Sequence, residues 1–222
     1  RLVPGDGQKQ ATNTEIIEMY NKRLIPLLVD DQGKLKTFQE AGINEEEYIA
    51  EYKKAGYYKQ PYKLLYKIFP NDPKDGNSVN LEGAEGWVFP VNGMGLWDAI
   101  YGYLAVGTDG VNVIGASWYD QKETPGLGAN ISEESWQSLF PGKKVFLESA
   151  TGDVDTKTAP LGIVVVKGKV SEVYGDSPKS HSAVDGMAGA TLTGNGVTDA
   201  YRDVLAGYRP FLELVHAANK KN

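Results

Sequence analysis

The residues 185–196 read Asp185-Gly186-Met187-Ala188-Gly189-Ala190-Thr191-Leu192-Thr193-Gly194-Asn195-Gly196 and run straight into an amphipathic segment. Small residues followed by hydroxyls at the start of a helix suit an anion. The free N–H groups of the first turn and the positive end of the helix dipole face the same way. The same pattern also fits a Gly-rich turn in which Thr193 or Asn195 does no more than cap the helix. The chemistry of these residues leaves both readings open. The segment is not a Walker loop, because the Lys is missing. It is not a dinucleotide fingerprint either, because the glycine spacing and flanking order differ.

A second run, Glu123-Thr124-Pro125-Gly126-Leu127-Gly128, offers an acceptor (Glu123), a donor (Thr124), and glycines at 126 and 128 on either side of Leu127. Glycines without Cβ atoms let backbone approach a flat or phosphorylated ligand closely. Taken alone, a Pro-Gly pair is also a common structural turn. Upstream, Trp97 and Tyr101 are large aromatics that could flank a planar ligand or simply fill the core of a strand.

The elements that must position these residues can be read from periodicity. Residues 12–24 predict a helix, with Ile16, Ile17, Tyr20 and Leu24 on one stripe and Thr12 or Thr14 as cap. Residues 24–29 form a short apolar run ending in the turn signal Asp30-Asp31-Gln32-Gly33, and the acidic residues 40–51 predict a surface helix. Residues 61–69 alternate, which predicts a half-buried strand with Tyr62, Leu64, Tyr66 and Ile68 inside and Lys63 and Lys67 outside. Residues 71–76 read as a loop and 86–91 as another strand. Residues 95–106 fit either a helical stripe or a strand. The turn Thr108-Asp109-Gly110 and the β-branched run 111–119 decide for a hairpin. Residues 131–140 predict a short helix capped at Ser132, and 161–166 with 169–173 predict a pair of strands. Val197, Ala200, Tyr201, Val204 and Leu205 mark an amphipathic helix from about Asn195. The class is α+β: antiparallel sheet packed with helices and closed by a C-terminal amphipathic helix that follows the candidate anion site.

Composition narrows the functions. A chain of 222 residues, 41% hydrophobic and 23% charged, can bury one sizeable core or two small ones. Without cysteine there is no disulfide, Cys-ligated zinc or thiol catalysis. The two histidines, His181 and His216, lie in no metal or triad motif. Neither a catalytic residue nor a metal ligand is assigned. The net charge of −6, with no Lys/Arg cluster, argues against a nucleic-acid partner. No apolar run reaches the roughly 20 residues of a membrane span. The sequence starts at Arg1 and not at Met, which reads as a processed or truncated product with room for a signal or an anchor before Arg1.

Residues 185–191 resemble the flavinylation motif of the FMN-binding domain family: Asp, two residues, Ser or Thr, then Gly-Ala-Thr. Asp185 and Gly189-Ala190-Thr191 match, and Ala188 departs from the Ser or Thr of the pattern. Residues 123–128 resemble the family's second hallmark, which lines the isoalloxazine ring. The likeness runs from about Gly86 to Leu212 and is thinner before it. The resemblance implies FMN joined through its phosphate to Thr191 by a dedicated flavin transferase. Gly189, Ala190, Leu192 and Thr193 would surround the attachment. Glu123, Thr124, Gly126, Leu127 and Gly128 would lie against the ring or ribityl chain, with Trp97 and Tyr101 as candidate neighbours.

Gly95-Leu96-Trp97 and Tyr208-Arg209-Pro210-Phe211-Leu212 are similar to one branch of that family, the C subunits of sodium-translocating NADH:quinone oxidoreductases. They are less similar to the G subunits of Rnf-type ferredoxin:NAD complexes. That likeness implies an electron-carrier subunit of a sodium-pumping, membrane-bound complex in the bacterial inner membrane. It would relay electrons between partner subunits, held by one helix before Arg1 with its soluble part on the periplasmic side. Three divisions are expected: 1–85 as an N-terminal α/β region, 86–215 as the FMN-binding domain, and 216–222 as a tail. The rival from another class is a non-redox extracytoplasmic binding module.

Overall fold

The structure is a computed structural model that describes residues 22–70 and 79–220. The expected helix over 12–24 and loop over 71–76 fall largely or wholly outside the described residues.

Among the described residues there are eight strands: β1 (Leu24–Val29), β2 (Leu35–Lys36), β3 (Lys63–Ile68), β4 (Gly86–Met94), β5 (Ala99–Gly107), β6 (Val113–Asp120), β7 (Val164–Val165) and β8 (Ala183–Val184). The α-helices whose bounds lie within the described residues are α1 (Phe38–Ala41), α2 (Glu45–Tyr52), α3 (Glu134–Gln137), α4 (Val170–Val173) and α5 (Thr191–Asn219). Six strands form one antiparallel sheet in the order β2-β1-β3-β4-β5-β6. The α+β architecture with an antiparallel sheet and a closing helix is therefore as expected. The sheet runs without a break across the 85/86 division, and α5 continues past residue 216.

The hairpin of β5 and β6 turns where the Asp-Gly signal stands. Gly110 adopts φ +69, and Asp109 Oδ1 accepts from the amides of Val111 and Asn112, each at 2.9 Å. Alternation then sends Ile100, Leu104 and Val106 to one face of the sheet and Tyr101, Tyr103 and Ala105 to the other.

α5 lies across the first of these faces. Its buried stripe of Val197, Ala200, Tyr201, Val204, Leu205, Tyr208, Phe211 and Leu212 packs with Trp87, Phe89, Ile100, Leu104 and Trp118 into the main core. Edge-on aromatic contacts run along it: Trp118–Tyr201 at 5.4 Å, Phe89–Tyr208 at 4.9 Å and Trp87–Phe211 at 4.9 Å. On the opposite face α1 and α2 bring Phe38 and Tyr48 against Leu28, Leu64, Tyr66 and Val88. Thr37 caps α1 in a capping box with Glu40, and Asn44 caps α2, so the acidic stretch splits into two short helices.

Three expectations are corrected. β3 is buried on both faces, not one, because it lies between α5 and the small helices. Lys67 is fully buried, and its ammonium donates to the carbonyls of Asn80 (2.8 Å) and Glu82 (2.6 Å). Residues 170–173 are not the second strand of a pair. They form the helical turn α4, and β7 pairs instead with β8, in parallel. Ser132 caps nothing: it ends a 3₁₀ turn (Gly128–Ser132), and α3 follows from Glu133 without a side-chain cap.

Candidate functional site

Three segments meet at the N-terminal end of α5: the β4–β5 turn, the 121–128 loop after β6, and residues 185–193. Glu123 joins them. Its carboxylate is buried, accepting from the amides of Leu96 and Trp97 at 3.0 Å each and from the hydroxyl of Thr193. Burial works against ionisation, but the Thr193 hydroxyl and the two amides outweigh it and hold the carboxyl below its ordinary range. The sequence offered Glu123 as a ring or ribityl ligand; here both of its oxygens accept hydrogen bonds from within the protein. It positions the site.

Close backbone approach makes this junction possible. A Cβ on Gly128 would stand 2.4 Å from Thr193 Oγ1, and one on Gly196 would stand 2.0 Å from the Met94 carbonyl oxygen. Gly95 and Gly93 are pressed in the same way against Glu123 Oε1 and Ala200 Cβ. Gly→Ala within a helix normally stabilises by about 1 kcal/mol. Gly196→Ala is expected to do the reverse, destabilising by roughly 1–3 kcal/mol through overpacking of backbone on backbone. It should also shift the Trp97 indole resonance. Denaturant unfolding and an amide–indole NMR spectrum check both, and a gain in stability would refute the contact.

The Thr124–Leu127 turn is closed by the Leu127 amide on the Thr124 carbonyl at 3.1 Å, with Gly126 at φ +75 and open space around it. Trp97 is two-thirds exposed yet pinned, its Nε1–H donating to Thr124 Oγ1 at 3.1 Å. Met94, Leu96, Trp97, Leu127 and Leu192 stand exposed on these segments, 40–67% accessible, where soluble proteins usually keep large apolar side chains scattered.

The attachment segment is equally defined. α5 starts at Thr191, four residues earlier than the sequence suggested, so neither Thr193 nor Asn195 is its N-cap. The N-cap is Ala190, which has no side-chain acceptor, and Gly189 before it takes φ +71. The first-turn amides therefore have no acceptor from the cap. Thr191 is exposed and makes no side-chain hydrogen bond among the described residues, whereas Thr193 is buried on Glu123. Asp185 anchors the loop from behind. It accepts from the Val170 amide (2.8 Å) and Lys169 Nζ (2.9 Å), while its carbonyl accepts from Trp136 Nε1 at 2.9 Å. Burial opposes its charge, but the Val170 amide and the Lys169 ammonium prevail and lower its pKa.

Thus Trp97, Glu123, Thr124, Gly126, Leu127, Gly128, Asp185, Gly189, Ala190, Thr191, Leu192 and Thr193 are brought into one end of the molecule. Tyr101 is not: it lies on the other face of the sheet, in a cleft with Tyr57, Tyr66, Tyr103 and Tyr119. Met94 and Gly196 belong to the junction and carried no chemical signal. The small residues at 93, 196 and 200 are the one signal that could have shown the close crossing.

The group such a site fits has a flat apolar part and an anionic tail. The apolar rim takes the first, and the uncapped helix start beside a free hydroxyl takes the second. Residues 95–206 match the FMN-binding domain family, and the chain belongs to it. Over its whole length it is 42% identical to the C subunit of the Na(+)-translocating NADH-quinone reductase of Chlamydia caviae, spanning 72% of that protein. Over 88% of the chain it is 44% identical to the corresponding C subunit of Chlamydia pneumoniae, spanning 63% of it. The crystal structure of Shewanella oneidensis NqrC matches with a TM-score of 0.64 at 27% identity, over 93% of this chain and 90% of that one. Within the FMN-binding domains, the chain is a member of the NqrC family, the C subunits of the sodium-translocating NADH-quinone reductases. These relatives favour that reading over the G subunit of an Rnf complex and over a non-redox binding module.

Proposed function

We propose that the chain carries FMN as a phosphoester on Thr191 and passes electrons between partner subunits of a sodium-translocating NADH-quinone reductase. The observation that carries this is the contrast between neighbouring threonines. Thr191 offers an exposed hydroxyl with no hydrogen bond among the described residues, at an uncapped helix start, and Thr193 has its hydroxyl buried on Glu123. Bound flavin supplies reversible uptake and release of electrons, and the protein supplies its surroundings. Ala190 leaves the first amides of α5 to a phosphate. Gly189, small and at positive φ, keeps the approach to Thr191 open. Trp97, Leu127 and Leu192 present apolar surface for a ring, and Thr124 holds the Trp97 indole in place. No general acid or base is required of the protein.

The same reading includes maturation by a flavin transferase and other subunits of the complex as partners. It also includes a bacterial inner-membrane location, with a single-pass helix ahead of Arg1 and the domain on the periplasmic side. Among the described residues no helix is long and apolar enough to cross a membrane. Such a tether would hold the flavin at high effective concentration near its partners. The unit 86–215 is read as the flavin-holding part, with 1–85 as its support and 216–222 as a tail.

Co-expression with a flavin transferase, followed by intact mass and peptide mapping, tests the attachment. The expected product is yellow and heavier by one FMN less one water, with the adduct on Thr191. An adduct on Thr193, or none, would overturn the assignment.

A further inference from the structure

A second cleft, of about 330 Å³, opens along α5 and shares no residue with the loop cluster at its N-terminus. Its walls are aliphatic: Leu147, Pro160, Leu161, Ile163 and Val164. The chain at Gly162 is laid directly on α5, where an added Cβ would stand 3.2 Å from the Arg202 Cα, and φ is +128. The Val165 amide donates to Thr198 Oγ1 at 2.9 Å and ties β7 to α5. The rim is cationic. The Arg202 guanidinium is already matched by Asp199 (2.6 Å) and Asp203 (2.9 Å). Lys179 is different: its ammonium makes no ion pair among the described residues and stands 6.0 Å from the Tyr174 ring centroid. Val164, at the lip, is 37% exposed on an otherwise buried segment.

The lining therefore combines an aliphatic slot with one uncommitted positive charge at its mouth. Tyr174 is its one aromatic among mostly aliphatic residues, so the lining favours an aliphatic over a planar ligand. Clefts that hold small ligands join mostly apolar walls to a few placed polar groups, and this one follows that pattern.

We propose that this cleft binds an aliphatic carboxylate, with the chain against Leu147, Pro160 and Val164 and the carboxylate on Lys179. The inference is independent of the flavin assignment. It predicts an amphiphile site on a domain whose flavin end lies farther along the same helix. Thr198 and Arg202 follow Thr191 on one helix face, about 10 and 16 Å along the axis.

Titration of the folded chain with decanoate, followed by methyl NMR of Leu147, Leu161 and Val164, tests it. Saturable shifts at roughly millimolar affinity or tighter are expected, with decanol and benzoate both weaker. Lys179→Gln, an exposed substitution that leaves the fold intact, should weaken decanoate by about tenfold and leave decanol unchanged. Val164→Glu, also exposed, should weaken decanoate by placing a carboxylate at the mouth. Absence of saturable shifts, or decanoate affinity untouched by both substitutions, would overturn the proposal, as would benzoate binding more tightly than decanoate.

Discussion

Thr191→Ala is expected to yield a colourless protein of unchanged stability, and Thr193→Ala a flavinylated protein of reduced stability. The two threonines are two residues apart on the first turn of α5, yet their surroundings are opposite. Thr191 is exposed and gives its hydroxyl to nothing within the described residues. Its removal takes away no packing, and alanine is the better helix former by up to about 0.7 kcal/mol. The unfolding midpoint should stay within about 0.5 kcal/mol of the parent, as for ordinary surface changes. Covalent flavin should be lost entirely, because the neighbouring hydroxyl, that of Thr193, is buried on Glu123. Thr191→Ser should retain it. Thr193→Ala removes the donor to a buried carboxylate and should cost about 1–3 kcal/mol, while the folded fraction still accepts FMN. In-gel flavin fluorescence and denaturant unfolding on the same four proteins check the crossed pattern. Covalent flavin surviving in Thr191→Ala would move the attachment site.

The crossed pattern shows what was legible in the sequence and what was not. The β5–β6 hairpin was readable because Asp109-Gly110 sits between alternating residues, and the core stripe of α5 was readable from its 3.6-residue period. The start of α5 was not. Gly194 stood in the Gly-rich turn ahead of the expected start near Asn195, yet it lies inside the helix with Gly196, where the two admit Val165 and the Met94 carbonyl; glycine there serves tertiary contact and not local flexibility. Tyr101 was misplaced for a related reason. Residues 95–98 form a turn, the Gly95 amide on the Asp98 carbonyl at 2.8 Å, so the alternation that orders β5 does not extend back to Trp97. The helical turn at 170–173 is set by the Asp185 carboxylate on the Val170 amide, a contact across 15 residues that no window of periodicity contains. The attachment motif was recognisable as a string of residues. The role of Glu123 depended on knowing what lies 26 to 70 residues away from it.

Glu123→Gln is expected to destabilise the fold by about 1–3 kcal/mol at neutral pH and to free the Trp97 turn. Three donors converge on this carboxylate: the amides of Leu96 and Trp97 and the Thr193 hydroxyl. Among the described residues no cation pairs with it, so its charge is held by hydrogen bonds alone. A carboxamide keeps one acceptor oxygen but turns an NH2 toward donors, which leaves at least one of them unmatched. The pH dependence has a definite sign. Glu123 in the fold has its pKa below the ordinary value, about 4.3 for an unfolded chain. Its stabilisation is therefore complete above that unfolded value and is lost as pH falls through the folded one. The gap between parent and Glu123→Gln should be flat from about pH 7 to 5 and should close on further acidification. Glu148 and Asp185 are likewise held below the ordinary range, but both remain in either protein and cancel in the difference. Urea titrations at stepped pH measure the gap. A gap that stays constant to pH 3, or widens, would mean that the carboxylate is not ionised in this junction. With FMN attached, the same variant should shift flavin absorbance while leaving the Thr191 linkage in place, because Glu123 orders the turn that carries Trp97 and does not hold the phosphate end.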